Sequence, residues 1–521
     1  MKKKFLVCIL LSALLFVGCN RNEAEGAPSG TPIASSWTSS AEPETEAFNL
    51  TDYAEYVGED NDWTYALQKA VTNYDVIYIP AGTYKLSSVE IGASGKTIYG
   101  DGDNTVLIPN GKNLFNVSGG LGREIKISEP IEDFSNQIKV TNGKYFAEGD
   151  LVFLYGQRNC QIIEDCGEEW ILGQSLAEGY TIYFGEYLRV ESVEGNTLTT
   201  ETDTIFPSYL DNNASESFQK LTASNPKYDD YLTKRESTTV QKVNAVENVV
   251  LRDFKVKGNA ENCILFAYAD NCRVENVSME VPEDADWALG NDRFFFIKFR
   301  YSVDCVIEGC SFNALCELPE DTLKMQSGEY LGNYNIFMLD NCQRCGFKSC
   351  KGNLGTQIFA VGRTITPSID CYVEGCEASG AIWAGINLAN TNYRCSATGN
   401  RVSLSGHGIK VGCRESTVKG NTIDLSLPLT SNYIFVRPAE GGRGGIVINE
   451  GCSVDSVIED NTVFNCYTGI LVTDGYESTN IFYFGSVTVK NNTIMGCKQD
   501  TFLWKNTYNT AVSRFSVDGD F

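Results

Sequence analysis

The chain has one histidine in 521 residues. Transition-metal sites draw heavily on imidazole, and the cysteines are scattered through the chain, so a resident transition metal is not expected. Basic residues are also few: 42 Lys and Arg face 67 Asp and Glu, a formal charge of −25. That balance argues against nucleic acid or an anionic lipid surface as partner. It also weighs against a polyanionic ligand, unless Ca²⁺ or a local basic patch intervenes. Long apolar runs are missing beyond the first 18 residues, so no later segment is suited to cross a bilayer as a helix.

Those first residues carry their own message. Lys2-Lys3-Lys4 precedes an apolar run from Phe5 to Val17, the layout of a secretory leader, too short to remain as a membrane span. Its ending, Leu15-Phe16-Val17-Gly18-Cys19, resembles a bacterial lipoprotein box. The resemblance implies removal of residues 1–18 and lipidation of Cys19. Residues 19–47, rich in Ala, Ser, Thr, Glu, Gly and Pro, read as a flexible tether. The expected product is a cell-envelope protein, anchored to a bacterial membrane through the lipid alone.

Abundance lies in a phrase that keeps returning. Asp304-Cys305-Val306-Ile307-Glu308-Gly309-Cys310 comes back as Asp370-Cys371-Tyr372-Val373-Glu374-Gly375-Cys376, and later as Thr417-Val418-Lys419-Gly420-Asn421-Thr422-Ile423. Asn400 and Asn421 lie 21 residues apart, Asn461 and Asn492 lie 31 apart. A ragged period of short strands marks a solenoid, whose coils bury their apolar faces only by stacking. Cys272, Cys305, Cys342, Cys371, Cys395, Cys413 and Cys452 recur at one place in successive coils. Buried Cys behaves as a small apolar residue, so these are expected to stack as ladders. Cys160 and Cys166, close together in a loop-like stretch, are the disulfide candidates.

Two stretches stand outside the repeat. Asn61-Asp62 precedes Trp63, Ala66, Leu67 and Ala70 at helical spacing, which predicts a short helix through Lys69 capping the N-terminal end of the solenoid. From about 124 to 242 the phrase lapses. Alternating segments such as Leu151-Val152-Phe153-Leu154 and Tyr187-Leu188-Arg189-Val190, with a turn at Glu194-Gly195-Asn196, predict an inserted β subdomain beside the early coils. Coils are expected over 48–123 and 243–521. The run Val76-Ile77-Tyr78-Ile79-Pro80-Ala81-Gly82-Thr83-Tyr84, followed by Thr105-Val106-Leu107-Ile108, resembles the opening segment of right-handed parallel β-helix proteins of the pectin-lyase-like class. The resemblance implies an all-β solenoid and leaves function open, because that fold hosts hydrolases, lyases, epimerases and adhesins.

Within the coils the pattern Gly-Ile-x-apolar places one strand: Gly385-Ile386-Asn387-Leu388, Gly408-Ile409-Lys410-Val411, Gly445-Ile446-Val447-Ile448 and Gly469-Ile470-Leu471-Val472. Alternation turns the apolar flanks inward and predicts an exposed row of Asn387, Lys410, Val447 and Leu471. Counting back puts Arg300 and Lys298 on the same face. Insertions at 282–293, 317–335, 427–444 and 473–484 carry acids and aromatics suited to wall a groove over it. Ser405-Gly406-His407-Gly408 resembles the Gly-His-Gly motif of polygalacturonases. One coil back, however, stands Trp383-Ala384-Gly385, with no acid, so that family's paired-carboxylate mechanism does not transfer.

Three functional readings remain. A polysaccharide lyase would take a uronate proton with Lys410, helped by His407 and Arg443, while Arg300, Arg363, Asn387, Arg437 and Tyr433 hold the substrate. A glycoside hydrolase would draw its acids from Glu440, Glu450 or Asp474. A non-catalytic glycan binder or adhesin would use Trp287, Trp383, Tyr330, Tyr433 and Trp504 as platforms. The blandest alternative makes His407 a lone surface histidine and the cations solvated charges. Ca²⁺ held by Asp284, Asp286 and Asp292 is the one cofactor entertained. The expectation is a monomeric carbohydrate-active enzyme cleaving a polysaccharide, with the binder as alternative.

Overall fold

The computed structural model describes residues 46–111, 113–131, 134–157, 183–205, 238–258, 260, 262–282, 294–315, 335–362, 367–389, 392–426, 444–449, 455–473, 484–504 and 514–519. Each coil contributes three short strands, and each strand pairs in parallel with its counterpart in the next coil. Val306–Glu308, Gly346–Lys348, Tyr372–Glu374, Ser396–Thr398 and Thr417–Lys419 stack in the first sheet. Ser311–Ala314, the starts of the long strands Lys351–Val361 and Glu377–Leu388, then Arg401–Ser403 and Thr422–Asp424 form the second. Phe295–Arg300, Asn335–Asp340, the ends of those two long strands, His407–Val411, Gly444–Asn449 and Thr468–Thr473 form the third. Parallel neighbours need a crossover connection, and each sheet's crossover is the other two sheets. The expected parallel β-helix is the observed architecture.

Its core is a set of columns. Ile264, Ile297, Phe337, Phe359, Ile386, Ile409, Ile446 and Ile470 stand in register, one per coil, and all are sealed from solvent. Each contributes about 1.5–3 kcal/mol by burial, and none finds that shelter within its own coil.

Ladders of small side chains hold the corners. The backbone N–H groups of Cys272, Cys305 and Cys395 donate to the thiols of Cys305, Cys345 and Cys413 in the next coil, at 3.3, 3.3 and 3.4 Å. Cys345, not the expected Cys342, is the rung, because it directly precedes its strand as Cys305 and Cys371 do. Cys342 belongs to a neighbouring column, donating its N–H to Ser368 Oγ at 3.2 Å. Between the first and second sheets Cys310, Cys350 and Cys376 give way to Asn400, Asn421, Asn461 and Asn492. Cys376 N–H donates to Asn400 Oδ1 at 2.8 Å, and Asn400 Nδ2 to Asn421 Oδ1 at 2.9 Å. The described cysteines are all free thiols; Cys19, Cys160, Cys166 and Cys452 lie outside the described residues.

Thr64–Asn73 is helical, one turn beyond the expected end, and buries Ala66, Leu67, Ala70 and Val71 in the same core as Leu50 and Ile77. Trp63 lies just before it and packs edge-on against Tyr84. Asp62 Oδ1 accepts the Thr64 N–H at 2.8 Å.

The inserted subdomain is a six-stranded antiparallel sheet made of Gly120–Lys126, Gln137–Lys139, Leu151–Gln157, Tyr183–Glu194, Thr197–Thr200 and Thr239–Asn244. Gly195, at φ +62°, makes the two-residue turn that pairs Glu194 with Thr197. The sheet docks on the corner that follows the third sheet of the coils. There the Gln343 amide takes the Tyr187 N–H at 2.8 Å and donates to its carbonyl at 3.1 Å. Arg189 Nη2 meets Asp270 Oδ2 at 2.7 Å, and Leu151, Phe153 and Tyr187 close over Val303. Burial raises the Asp270 carboxyl above the usual range although Arg189 opposes it. Among the described residues no helix is long and apolar enough to cross a membrane.

Candidate functional site

The outer face of the third sheet owes its layout to the recurrent glycine. A Cβ on Gly385 would stand 2.3 Å from Val402 Cγ1, and one on Gly408 2.5 Å from Ile423 Cγ2. These glycines therefore face inward, where the second sheet leaves no room, and the following isoleucine is also in the core. The residue before each glycine is thrown outward. In earlier coils the arrangement is inverted: Ile358 fills the inward position and Gly352 stands opposite, 2.5 Å from Ile358 Cγ2 for an added Cβ.

Two outward columns result. One reads Asn335, Gln357, Ala384, His407. The other reads Lys298, Met338, Ala360, Asn387, Lys410, Val447, Leu471. The expected register is therefore correct, while the expected exposure is not. Asn387, Val447 and Leu471 are only 5 %, 4 % and 1 % exposed. Phe295, Met338 and Ala360 form an apolar cluster separate from the core inside the coils. Register fixes which way a side chain points, while its exposure depends on contacts beyond the strand's own pattern. The face is a covered floor.

His407 is 4 % exposed, so it is not a surface histidine. Its Nδ1 accepts the Gly444 N–H of the next coil at 3.4 Å, which puts the proton of the neutral ring on Nε2. Lys410, half-buried three residues on, holds Nζ 4.4 Å from the centre of the Trp383 ring. A partly desolvated cation in that position gains about 1–2 kcal/mol. Asn387, one rung from Lys410, donates Nδ2 to Gln357 Oε1 at 2.9 Å. Its Oδ1 is buried without a hydrogen-bond partner, as is Oδ1 of Asn335.

The basic island expected here is divided. Lys298, 6 % exposed, lies four rungs from Lys410, about 19 Å at the usual strand spacing. Its Nζ pairs with Asp340 Oδ2 at 2.9 Å and sits 4.5 Å over the Phe295 ring. Arg300 shares Asp340, Nε to Oδ2 at 3.6 Å, and gives Nη2 to Tyr301 Oη at 3.0 Å. Arg363, Arg437, Arg443 and Tyr433 lie outside the described residues, as do Glu440, Glu450, Asp474, Asp284, Asp286, Asp292, Trp287 and Tyr330. The face thus brings together His407, Lys410, Trp383 and Asn387, and sets Arg300 and Lys298 apart.

Asn335, Gln357 and Asp340 escaped the sequence reading. Asn335-Ile336-Phe337-Met338-Leu339 and Gln357-Ile358-Phe359-Ala360-Val361 align with His407-Gly408-Ile409-Lys410-Val411 once isoleucine is allowed in the glycine's place. A search for a polar residue two before the apolar pair would have found the column. Asp340 carried no such signal.

Residues 47–144 match the family described as rhamnogalacturonase A/epimerase, pectate lyase-like. The chain has the pectate lyase-like parallel β-helix fold. Residues 313–484 of this β-helix match the family of the periplasmic copper-binding protein NosD. Solved structures agree on the fold. The tailspike gp61 of Pseudomonas phage phi297 aligns over 92 % of this chain and 81 % of its own, with TM-score 0.59 and 13 % identity. The tailspike gp49 of Pseudomonas phage LKA1 aligns over 90 % and 74 %, with TM-score 0.53 and 15 % identity. The gp54 tailspike of Acinetobacter baumannii bacteriophage AP22, in complex with a capsular saccharide, aligns over 90 % and 73 %, with TM-score 0.54 and 14 % identity. No curated protein matches the chain. Copper does not fit the described residues. No three His, Cys, Asp or Glu among them gather to hold a metal. The thiols of Cys342, Cys345 and Cys371 are committed to backbone carbonyls at 3.4, 3.4 and 3.3 Å.

Proposed function

We propose that the chain is an exported carbohydrate-active enzyme that cleaves a polysaccharide on the outer face of its third sheet. One observation carries the proposal. On a face whose outward columns are largely buried, Lys410 is seated on Trp383, three residues from His407 and one rung from the unpartnered acceptor of Asn387. An aromatic ring, a cation and a buried acceptor together suit a sugar ring with an acidic substituent. The capsular saccharide in the AP22 tailspike complex supports a polysaccharide as ligand.

The chemistry favoured is β-elimination. The His407 column carries amides where a hydrolase of the Gly-His-Gly type would need carboxylates. Lys410, as the neutral amine left once its ammonium has given a proton to solvent, would remove the proton next to a uronate carboxylate, and His407 would return a proton to the leaving oxygen. Incubating the purified protein with a panel of polysaccharides tests this, reading new reducing ends together with unsaturated-uronate absorbance. Both signals should rise. Reducing ends alone would replace elimination by hydrolysis. Binding without either signal would establish the second reading, a non-catalytic glycan binder, which the neutralised Lys298–Asp340 pair favours. The leader and Cys19 support export and lipid anchoring; lipid labelling that survives Cys19→Ala would overturn the anchor.

A further inference from the structure

Among the described thiols, Cys497 alone is partly open to solvent; the others are buried. It stands in the last coil of the second sheet, whose terminal strand Thr493–Met495 pairs in register with Thr462–Phe464. Cys466 and Cys497 follow these strands at matching positions, and the Lys498 N–H donates to the Cys466 carbonyl at 3.2 Å. Neighbouring rungs of a parallel sheet stand about 4.8 Å apart, inside the roughly 4.4–6.8 Å Cα separation that a disulfide spans. Both thiols turn the same way, each donating to the carbonyl two residues back in its own strand, Cys466 Sγ to Phe464 O at 3.1 Å and Cys497 Sγ to Met495 O at 3.7 Å. Other ladder thiols have the same rung spacing but no path for a reagent. Cys305, Cys345 and Cys350 are sealed at 0 % exposure.

We propose that Cys466 and Cys497 are a modification site for a small disulfide donor, which joins them and staples the last two coils together. The step balances without other reactants. The Cys497 thiolate attacks one sulfur of the donor and expels the first half as a thiolate. Cys466, losing its proton, then displaces the second half from the mixed disulfide. Two protein thiols are oxidised and one donor disulfide is reduced to two thiols. The Cys466 thiol holds Cys497 down to about 7, which makes it the attacking partner at neutral pH. Among the described strands Thr493–Met495 has one stacking neighbour in its sheet instead of two, while Arg514–Gly519 still covers the first-sheet strand of that coil. A covalent tie there acts where the second sheet is least supported. The inference is independent of what the third sheet binds.

The test treats the reduced, folded full chain with oxidised glutathione, then alkylates under native conditions and maps peptides by mass. The expected result is a Cys466–Cys497 linked peptide, loss of two hydrogens from the intact mass, and slower proteolysis of the last coil. The thiols of Cys305, Cys345 and Cys350 should label only after denaturation. Cys497→Ser, with strand content checked by circular dichroism, should abolish the link, and Cys466→Ser should leave a glutathione adduct on Cys497. Persistence of both free thiols under the oxidant would overturn the proposal. A link from Cys497 to any other cysteine would do the same.

Discussion

The outer faces of the first and third sheets are made from the same kind of column and behave in opposite ways. On the first, Glu308, Lys348, Glu374, Thr398, Lys419, Glu459 and Lys490 stand in register. Glu459 takes Lys419 at 2.7 Å and Lys490 at 2.9 Å. At the adjoining corner, Arg344 and Arg394 each clasp an aspartate of the preceding coil, Asp304 and Asp370, with two bonds. Charges that cancel in contact with water contribute little energy but penalise a slipped register. On the third sheet the two outward columns are largely buried, and each keeps an asparagine, Asn335 in one and Asn387 in the other, with an unsatisfied oxygen. Each such group costs about 1–3 kcal/mol. One face holds alignment at little cost; the other carries an uncompensated polar cost, which fits the glycan site proposed above.

The contrast is broken most severely at Lys410. Lys410→Ala should lower polysaccharide cleavage by about 10²- to 10⁴-fold, the span of a lost general base, with the melting temperature little changed; steady-state rates and thermal unfolding check both halves. Next comes Lys298→Ala, which leaves buried Asp340 with Arg300 alone, at 3.6 Å, and should destabilise the protein by about 3 kcal/mol, read by urea unfolding. Asn387→Ala is expected to weaken glycan binding about tenfold, the worth of one hydrogen bond of about 1.4 kcal/mol, in affinity electrophoresis. Equal mobility of variant and parent would remove Asn387 from the site.

The smallest effect belongs to the first sheet. Glu459→Gln should leave cleavage unchanged and shift stability least. The Lys419 ammonium, with Lys490 behind it, holds the Glu459 carboxyl below the usual carboxylate range. Its contribution is present above the unfolded value and is lost as pH falls through the lower folded value. The parent should therefore lose slightly more stability than Glu459→Gln on acidification, and high salt should erase the difference.

The coil phrase made the fold readable because each repeat states its own needs: apolar residues at alternate positions, a small residue at the corner, glycine or asparagine at the left-handed turn. The row through Asn387 and Lys410 was readable for the same reason. What covers that row was not, since burial there depends on contacts outside the strand's own pattern. The pairing of Lys298 with Asp340 was hidden because they sit in different coils, and a coil-by-coil search sees only like positions. Docking of the insert on Gln343 and Asp270 had no local signature either, since its partners are a glutamine and an aspartate like many others.

The asparagine ladder carries one more lesson. Asn400 and Asn421 are 21 residues apart and Asn421 and Asn461 are 40 apart, yet both links are 2.9 Å amide bonds. The frame closes identically whatever length of chain hangs from it. Doubling a loop costs about 0.6 kcal/mol in closure entropy, so the same rung forms across spacings of 21 and 40 residues with little penalty. The ladder is thus a spacer-blind joint: what it measures is the rung, not the chain between rungs.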